Sequence, residues 1–138
     1  MDKVLIVDDD NIFLHSLDEG LQKYMGQFEV MTVSNGDEAL KVLDTERISV
    51  LITDLDMPKM DGLELLSHMR KNRPQVPCVL MMGPESPEIE NEADRKNIFR
   101  TMTKPFDANE LFPVIMEGLE RLDEGLFWRG NRRKYDSD

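Results

Sequence analysis

Val50-Leu-Ile-Thr-Asp54-Leu-Asp56-Met-Pro58-Lys-Met-Asp61-Gly62 decides how the rest of the chain reads. Its first residues, with Ile48 just upstream, make a short β-branched run bounded by turn residues. That is the pattern of a strand buried on both faces of a parallel sheet. Asp54 closes the run. Open α/β sheets bind their ligands at the carboxyl ends of strands, so a carboxylate there is placed for chemistry. Pro58 ends regular structure, and Asp61 is an N-cap residue for a helix that opens at Gly62. Asp56, two residues past Asp54, adds a second negative group and points to a metal-assisted site.

Upstream, Lys3-Val-Leu-Ile-Val-Asp8 repeats the design: an apolar run ending in the carboxylates Asp8, Asp9 and Asp10. Helical spacing of Ile12, Leu14, Leu17, Leu21 and Tyr24 follows it. Phe28 to Val33 predicts a second strand before the turn Ser34-Asn35-Gly36. Asp37 to Glu46 predicts a helix with Ala39, Leu40 and Leu43 on one face. The third strand is Ile48 to Asp54, and the helix after it carries Leu63, Leu66 and Met69, with Leu65 beside them. Pro77 to Met82 reads as a fourth strand. From Glu85 to Asn97 the chain is mostly polar. A helix there would start at Ser86-Pro87 and would have only Ile89 and Ala93 for a core face, so it is expected to be the least stable. Phe99 to Thr103 is a fifth strand. The final helix starts near Asp107 or Asn109, with Leu111, Ile115, Leu119, Leu122 and Leu126 on one stripe, and Pro113 predicts a late start or a kink.

Strand and helix alternate five times. Such alternation predicts an α/β fold, a doubly wound parallel sheet with helices on both faces, because right-handed crossovers need a covering helix. At 138 residues the chain suits one core and is short for two. The formal charge of −11 argues against nonspecific binding of nucleic acid or an anionic membrane. The last ten residues carry four basic and two acidic side chains, which leaves the remainder at −13 and sets the tail apart. Cys78 is the sole cysteine, so no internal disulfide forms and a reducing cytoplasm is the expected setting. The apolar run Val4 to Val7 is too short for a signal peptide or a membrane span.

Asp8, Asp9 and Asp54 thus come from the ends of two strands placed side by side. Clustered carboxylates repel one another where solvent screens poorly, and a cation relieves that repulsion. With oxygen ligands only, and no cysteine or helical histidine pair, the expected ion is Mg²⁺ rather than zinc. Asp8 and Asp9 alone would read equally well as exposed turn residues; the Asp54 segment decides between the two.

Asp54-Leu-Asp-Met-Pro-Lys-Met-Asp-Gly62 resembles the phosphoacceptor segment of the receiver domains of bacterial two-component response regulators. Asp8-Asp9 and Lys104-Pro105-Phe106 match that family's other motifs, in order and at compatible spacing, so the resemblance runs from Lys3 to about Glu124. It implies a flavodoxin-like (βα)5 fold with strand order 2-1-3-4-5, a receiver domain over residues 1–125, and a tail over 126–138 that extends the last helix. It implies that Asp54 takes a phosphoryl group from a phosphohistidine on a sensor histidine kinase or phosphotransfer protein. Asp9 and Asp54 would bind Mg²⁺, helped by Asp8 and by the backbone carbonyl of Asp56. Lys104, 50 residues beyond Asp54, would meet a phosphoryl oxygen as a point charge. The Lys104-Pro105 bond is cis in the family. Such a module accepts a phosphoryl group and slowly loses it rather than turning over a substrate, and its output partner is not written in the sequence.

Two positions depart from the family. Met82 stands where a Thr or Ser hydroxyl usually contacts the phosphoryl group, and Thr101 stands where an aromatic ring usually swings inward. These switch positions predict weak coupling of phosphorylation to the fourth and fifth strands, unless Thr53, Thr101 or Thr103 lends a hydroxyl. They also keep open a pseudo-receiver that binds partners without phosphate. A third reading, a phosphatase resembling the haloacid-dehalogenase family, rests on Asp54-Leu-Asp56 alone; that family places the motif on its first strand and carries Thr or Val where Pro58 stands. Most methionines are expected as core filler, Cys78 as a small buried hydrophobe, and His15 and His68 at the surface. Leu126, Phe127 and Trp128, followed by Arg129, Arg132, Arg133 and Lys134, read either as a fraying helix end or as a docking or homodimer surface.

Overall fold

The strands at residues 3–7, 50–54 and 78–82 are apolar on nearly consecutive positions because helices cover both sheet faces, and the computed structural model shows the arrangement directly. It describes residues 1–124, with side chains described to residue 122. Leu126, Phe127, Trp128 and the basic tail lie outside the described residues. The elements are β1 (Lys3–Val7), α1 (Asn11–Leu21), β2 (Glu29–Val33), α2 (Gly36–Thr45), β3 (Val50–Asp54), α3 (Gly62–Asn72), β4 (Cys78–Met82), α4 (Glu92–Lys96), β5 (Arg100–Thr103) and α5 (Ala108–Glu124), with a 3-10 turn at Gln22–Tyr24. All strand pairs are parallel and the order is β2-β1-β3-β4-β5. The expected doubly wound fold and its strand order are both present.

Alternation along the strands sorts the core into two layers. Val4, Ile6, Val50, Ile52, Val79 and Met81 meet Leu14, Leu17 and Leu21 of α1 and Leu111, Ile115 and Leu119 of α5. Leu5, Val7, Leu51 and Cys78 meet Ala39 and Leu43 of α2 and Leu65, Leu66 and Met69 of α3. Cys78 is fully buried, and burial pushes its thiol up to about 12, which makes it inert packing. His15 and His68 are exposed, as expected. Among the described residues no helix is long and apolar enough to cross a membrane.

Several helix faces differ from the sequence expectation. Ile12 is 84% exposed. Helix α1 is capped by Asp10, whose carboxylate accepts from the Ile12 and Phe13 amides, and this rotates Ile12 out and turns Phe13 toward the core. In α3 the buried stripe is Leu65, Leu66 and Met69, with Leu63 only half-buried. The polar stretch from Glu85 yields a helix of only five residues, capped by Asn91 rather than Ser86, and Ala93 is exposed. No α4 residue is buried; propensity alone does not sustain more turns without an apolar face. The segment is tied instead by Arg70 of α3, whose guanidinium donates to the carbonyls of Val76 and Asn97. Helix α5 begins at Ala108 and runs through Pro113, so no late start occurs. Pro113 lies exposed near the amino end, where it removes one helix hydrogen bond without touching the core.

Candidate functional site

Register builds the site. Val7 of β1 lies opposite Thr53 of β3, so the residues that follow, Asp8 and Asp54, leave the sheet side by side. Asp8 is fully buried and Asp54 is 5% exposed, whereas Asp9 faces solvent. One carboxylate oxygen from each of the three lies within 4.8 Å of the others. Asp8 is held through Oδ1, which accepts from the Asp10 amide at 2.9 Å.

Lys104 reaches the cluster from the end of β5. Its amide donates to the Met82 carbonyl at 2.8 Å, fixing the strand exit. Its Nζ lies 2.8 Å from Asp8 Oδ2 and 3.5 Å from Asp54 Oδ2. The Asp8 contact is thus a buried ion pair at hydrogen-bond distance. The ammonium passes 4.8 Å from the centre of the Phe13 ring, which packs edge-on against Phe106 at 5.3 Å. The Lys104-Pro105 bond is cis, in agreement with the resemblance. Phe13 and Phe106 thereby form the apolar wall of a charged pocket, a role that the helical spacing did not reveal for Phe13.

The loop after β3 is equally constrained. The Gly62 amide donates to the Leu55 carbonyl at 2.9 Å, and a Cβ on Gly62 would stand 2.4 Å from the Asp54 carbonyl oxygen. Only glycine allows that approach. Lys59 holds a φ of 72° in the tight turn closed by the Met60 amide and the Pro58 carbonyl. Asp61 and Glu64 complete the reciprocal cap of α3. Asp56 is exposed, and its side chain accepts a hydrogen bond from the Ser86 hydroxyl at 2.7 Å.

Electrostatics follow from the crowding. Burial, then the neighbouring Asp8 charge, raise the Asp54 pKa to about 6, against the opposing pull of Lys104. Burial alone would lower Lys104, but the Asp8 and Asp54 carboxylates more than offset it and hold the ammonium above the ordinary lysine value. Three converging carboxylates and an oxygen-only donor set fit a hard divalent cation.

The structure therefore brings Asp8, Asp9, Asp54 and Lys104 together and leaves Asp56 on the same loop with its carboxylate turned to Ser86. Met82 ends β4 opposite Thr103, half-buried, and Thr101 is exposed on β5. Thr53 does not offer a free hydroxyl: it donates to the Asp54 carbonyl at 3.1 Å. Ser86 was read only as a helix cap. The signal that locates it is Gly83-Pro84-Glu85-Ser86, a tight-turn sequence with Pro at its second position.

Residues 4–116 match the sequence model of the response regulator receiver domain. Among curated relatives, the transcriptional regulatory protein GlrR of Escherichia coli is 33% identical over 118 residues, which are 86% of this chain and 26% of that protein. The chain thus spans about a quarter of that relative's length. A response regulator receiver domain protein from Clostridium thermocellum superposes with a TM-score of 0.80 at 26% identity, covering 90% of this chain and 98% of that one. The response regulator TrrA from Thermotoga maritima, solved in complex with Mg²⁺ and BeF, gives 0.74 at 27% identity over 86% of this chain and all of that one.

Proposed function

Because this chain belongs to the response regulator receiver domain family, we propose that Asp54 accepts a phosphoryl group from a phosphohistidine on a sensor histidine kinase or phosphotransfer protein, with Mg²⁺ held by Asp8, Asp9, Asp54 and the Asp56 carbonyl. One observation carries the reading: Asp8, Asp9 and Asp54 converge within 4.8 Å with the Lys104 ammonium against two of them. Transfer forms an O–P bond from an Asp54 oxygen as the N–P bond of the donor breaks. Asp54 must be ionised to attack, and a pKa of about 6 leaves most of it so at neutral pH. Lys104 holds its proton firmly and sets a point charge where a phosphoryl oxygen would arrive. Bound Mg²⁺ would supply the charge neutralisation that phosphoryl transfer chiefly needs.

In this reading residues 1–125 form a cytoplasmic signalling unit that accepts phosphate, slowly loses it, and acts on an output partner or on a second copy of itself. Several relatives are named transcriptional regulators; this chain's net negative charge fits a protein-directed output rather than nucleic acid. A phosphatase of the haloacid-dehalogenase kind is not favoured, since Asp54 lies on the third strand. Met82 and Thr101 support the second reading, a receiver fold that works without phosphate.

Incubation with acetyl phosphate and Mg²⁺, followed by intact mass, separates the two. One added phosphate that needs Mg²⁺ and disappears in Asp54→Asn is the expected result. No added mass, or unchanged labelling in that variant, would overturn the phosphoacceptor reading.

A further inference from the structure

The loop after Asp54 is linked to the α4 side of the molecule by a hydrogen bond between Asp56 and Ser86. The turn Gly83-Pro84-Glu85-Ser86 follows β4 directly and is closed twice: the Ser86 amide donates to the Gly83 carbonyl at 3.1 Å, and the Gly83 amide donates to Ser86 Oγ at 3.0 Å. With that lone pair engaged, the single hydroxyl proton of Ser86 is directed at Asp56 Oδ2, 2.7 Å away. Asp56 is two residues past Asp54, on the loop that Gly62 presses against the Asp54 carbonyl. Downstream of Ser86 the chain runs to α4, which buries no side chain and so has little packing to hold it in one place.

We propose that Ser86 is a positioning residue that couples occupancy of the Asp54 pocket to the segment from Gly83 to Asn97. This rests on the reading that the pocket takes a divalent cation and a phosphoryl group. Filling the pocket changes the field at the Asp56 carboxylate, which sits two residues past Asp54 and accepts from Ser86. A cation attracts that carboxylate and a phosphoryl group repels it. Either change alters the Ser86 hydrogen bond, and the turn that depends on the same oxygen follows. A ligand shifts an equilibrium only through differential interaction with its states; the Asp56–Ser86 bond supplies such a difference where Met82 has no donor. Because the turn is closed through the same serine oxygen, the response is directed into residues 83–97.

The test is the amide spectrum of the full 138-residue chain, with Mg²⁺ alone and with Mg²⁺ plus beryllofluoride, for the unmodified protein, Ser86→Ala, Ser86→Thr and Asp56→Ala. The unmodified chain should shift near Asp9, Asp54 and Lys104 and also across Gly83 to Asn97. Ser86→Ala should keep the first set and lose the ligand-induced part of the second, Ser86→Thr should restore it, and Asp56→Ala should lose it as Ser86→Ala does. Equal shifts across 83–97 in the Ser86→Ala and unmodified chains, or none there in the unmodified chain, would overturn the coupling while leaving the phosphoacceptor site intact. Absence of any shift near Asp54 would instead overturn the site reading, and the coupling with it.

Discussion

Asp54→Asn should make the cation-free protein more stable at neutral pH, even though it removes the proposed phosphoacceptor. In the folded chain Asp54 holds its proton more tightly than an unfolded aspartate does, its pKa being about 6 against an ordinary 3.8. A folded-state pKa above the unfolded one means that stability is highest below about pH 4 and is lost as pH rises to about 6. The rise corresponds to about 3 kcal/mol, the penalty fully present at pH 7 and above. An amide in place of the carboxylate carries no such penalty. Urea unfolding of the two proteins in chelator should therefore give curves that nearly coincide near pH 4 and diverge to about 3 kcal/mol by pH 7. Near neutrality this is roughly 10 °C in melting temperature for a chain of this size. Added Mg²⁺ should stabilise the unmodified protein more than the variant, since a ligand that binds only the folded state adds to stability, and so should narrow the gap. A difference independent of pH, or a variant that is less stable at pH 7 in chelator, would refute the argument that burial and Asp8 together strain the ionised carboxylate.

Other expected outcomes follow from single contacts. Gly62→Ala puts a methyl 2.4 Å from the Asp54 carbonyl oxygen; unfolding should show a loss of about 1–3 kcal/mol, with labelling by acetyl phosphate reduced because the loop must move. Ile12→Arg, at an exposed residue in the first turn of α1, should change stability by less than about 0.5 kcal/mol and leave acetyl phosphate labelling unchanged, while slowing transfer from a phosphohistidine donor protein if that donor docks over α1. Hydrogen exchange should be faster from Glu85 to Asn97 than in α1 or α3, and Arg70→Gln, which takes away the donors to Val76 and Asn97, should extend fast exchange through Ile98. Exchange there as slow as in α1 would contradict the lack of buried α4 residues.

The three central strands were legible because each is buried on both faces, and a run such as Val4 to Val7 or Val50 to Ile52 has no other comfortable place; the edge strands β2 and β5 carry no buried residue and were legible from the turn residues around them and the alternation of strand and helix. Asp8, Asp9 and Asp54 were legible as strand-end carboxylates, and Lys104 through its Lys-Pro-Phe context. What escaped were features decided by a few degrees of helix rotation or by a hydroxyl with two competing uses. Ile12 has the right spacing for the α1 stripe, yet the Asp10 cap sets the first turn so that Phe13 turns inward. Ser86 has the right identity for a helix cap, yet a Gly-Pro turn claims its oxygen first. Helix propensity around Glu85 to Asn97 gave no measure of length, because length there depends on a packing face that the segment lacks.

That missing face divides the molecule into parts with different tolerance for change. Both core layers are completed by α1, α2, α3 and α5, so substitutions on α4 neither open a cavity nor disturb the register that sets Asp8 beside Asp54. The exposed residues of α4 can therefore change one by one without disturbing the packing that holds Asp8, Asp54 and Lys104 together. In a chain of this design α4 behaves as an interchangeable insert on a fixed frame.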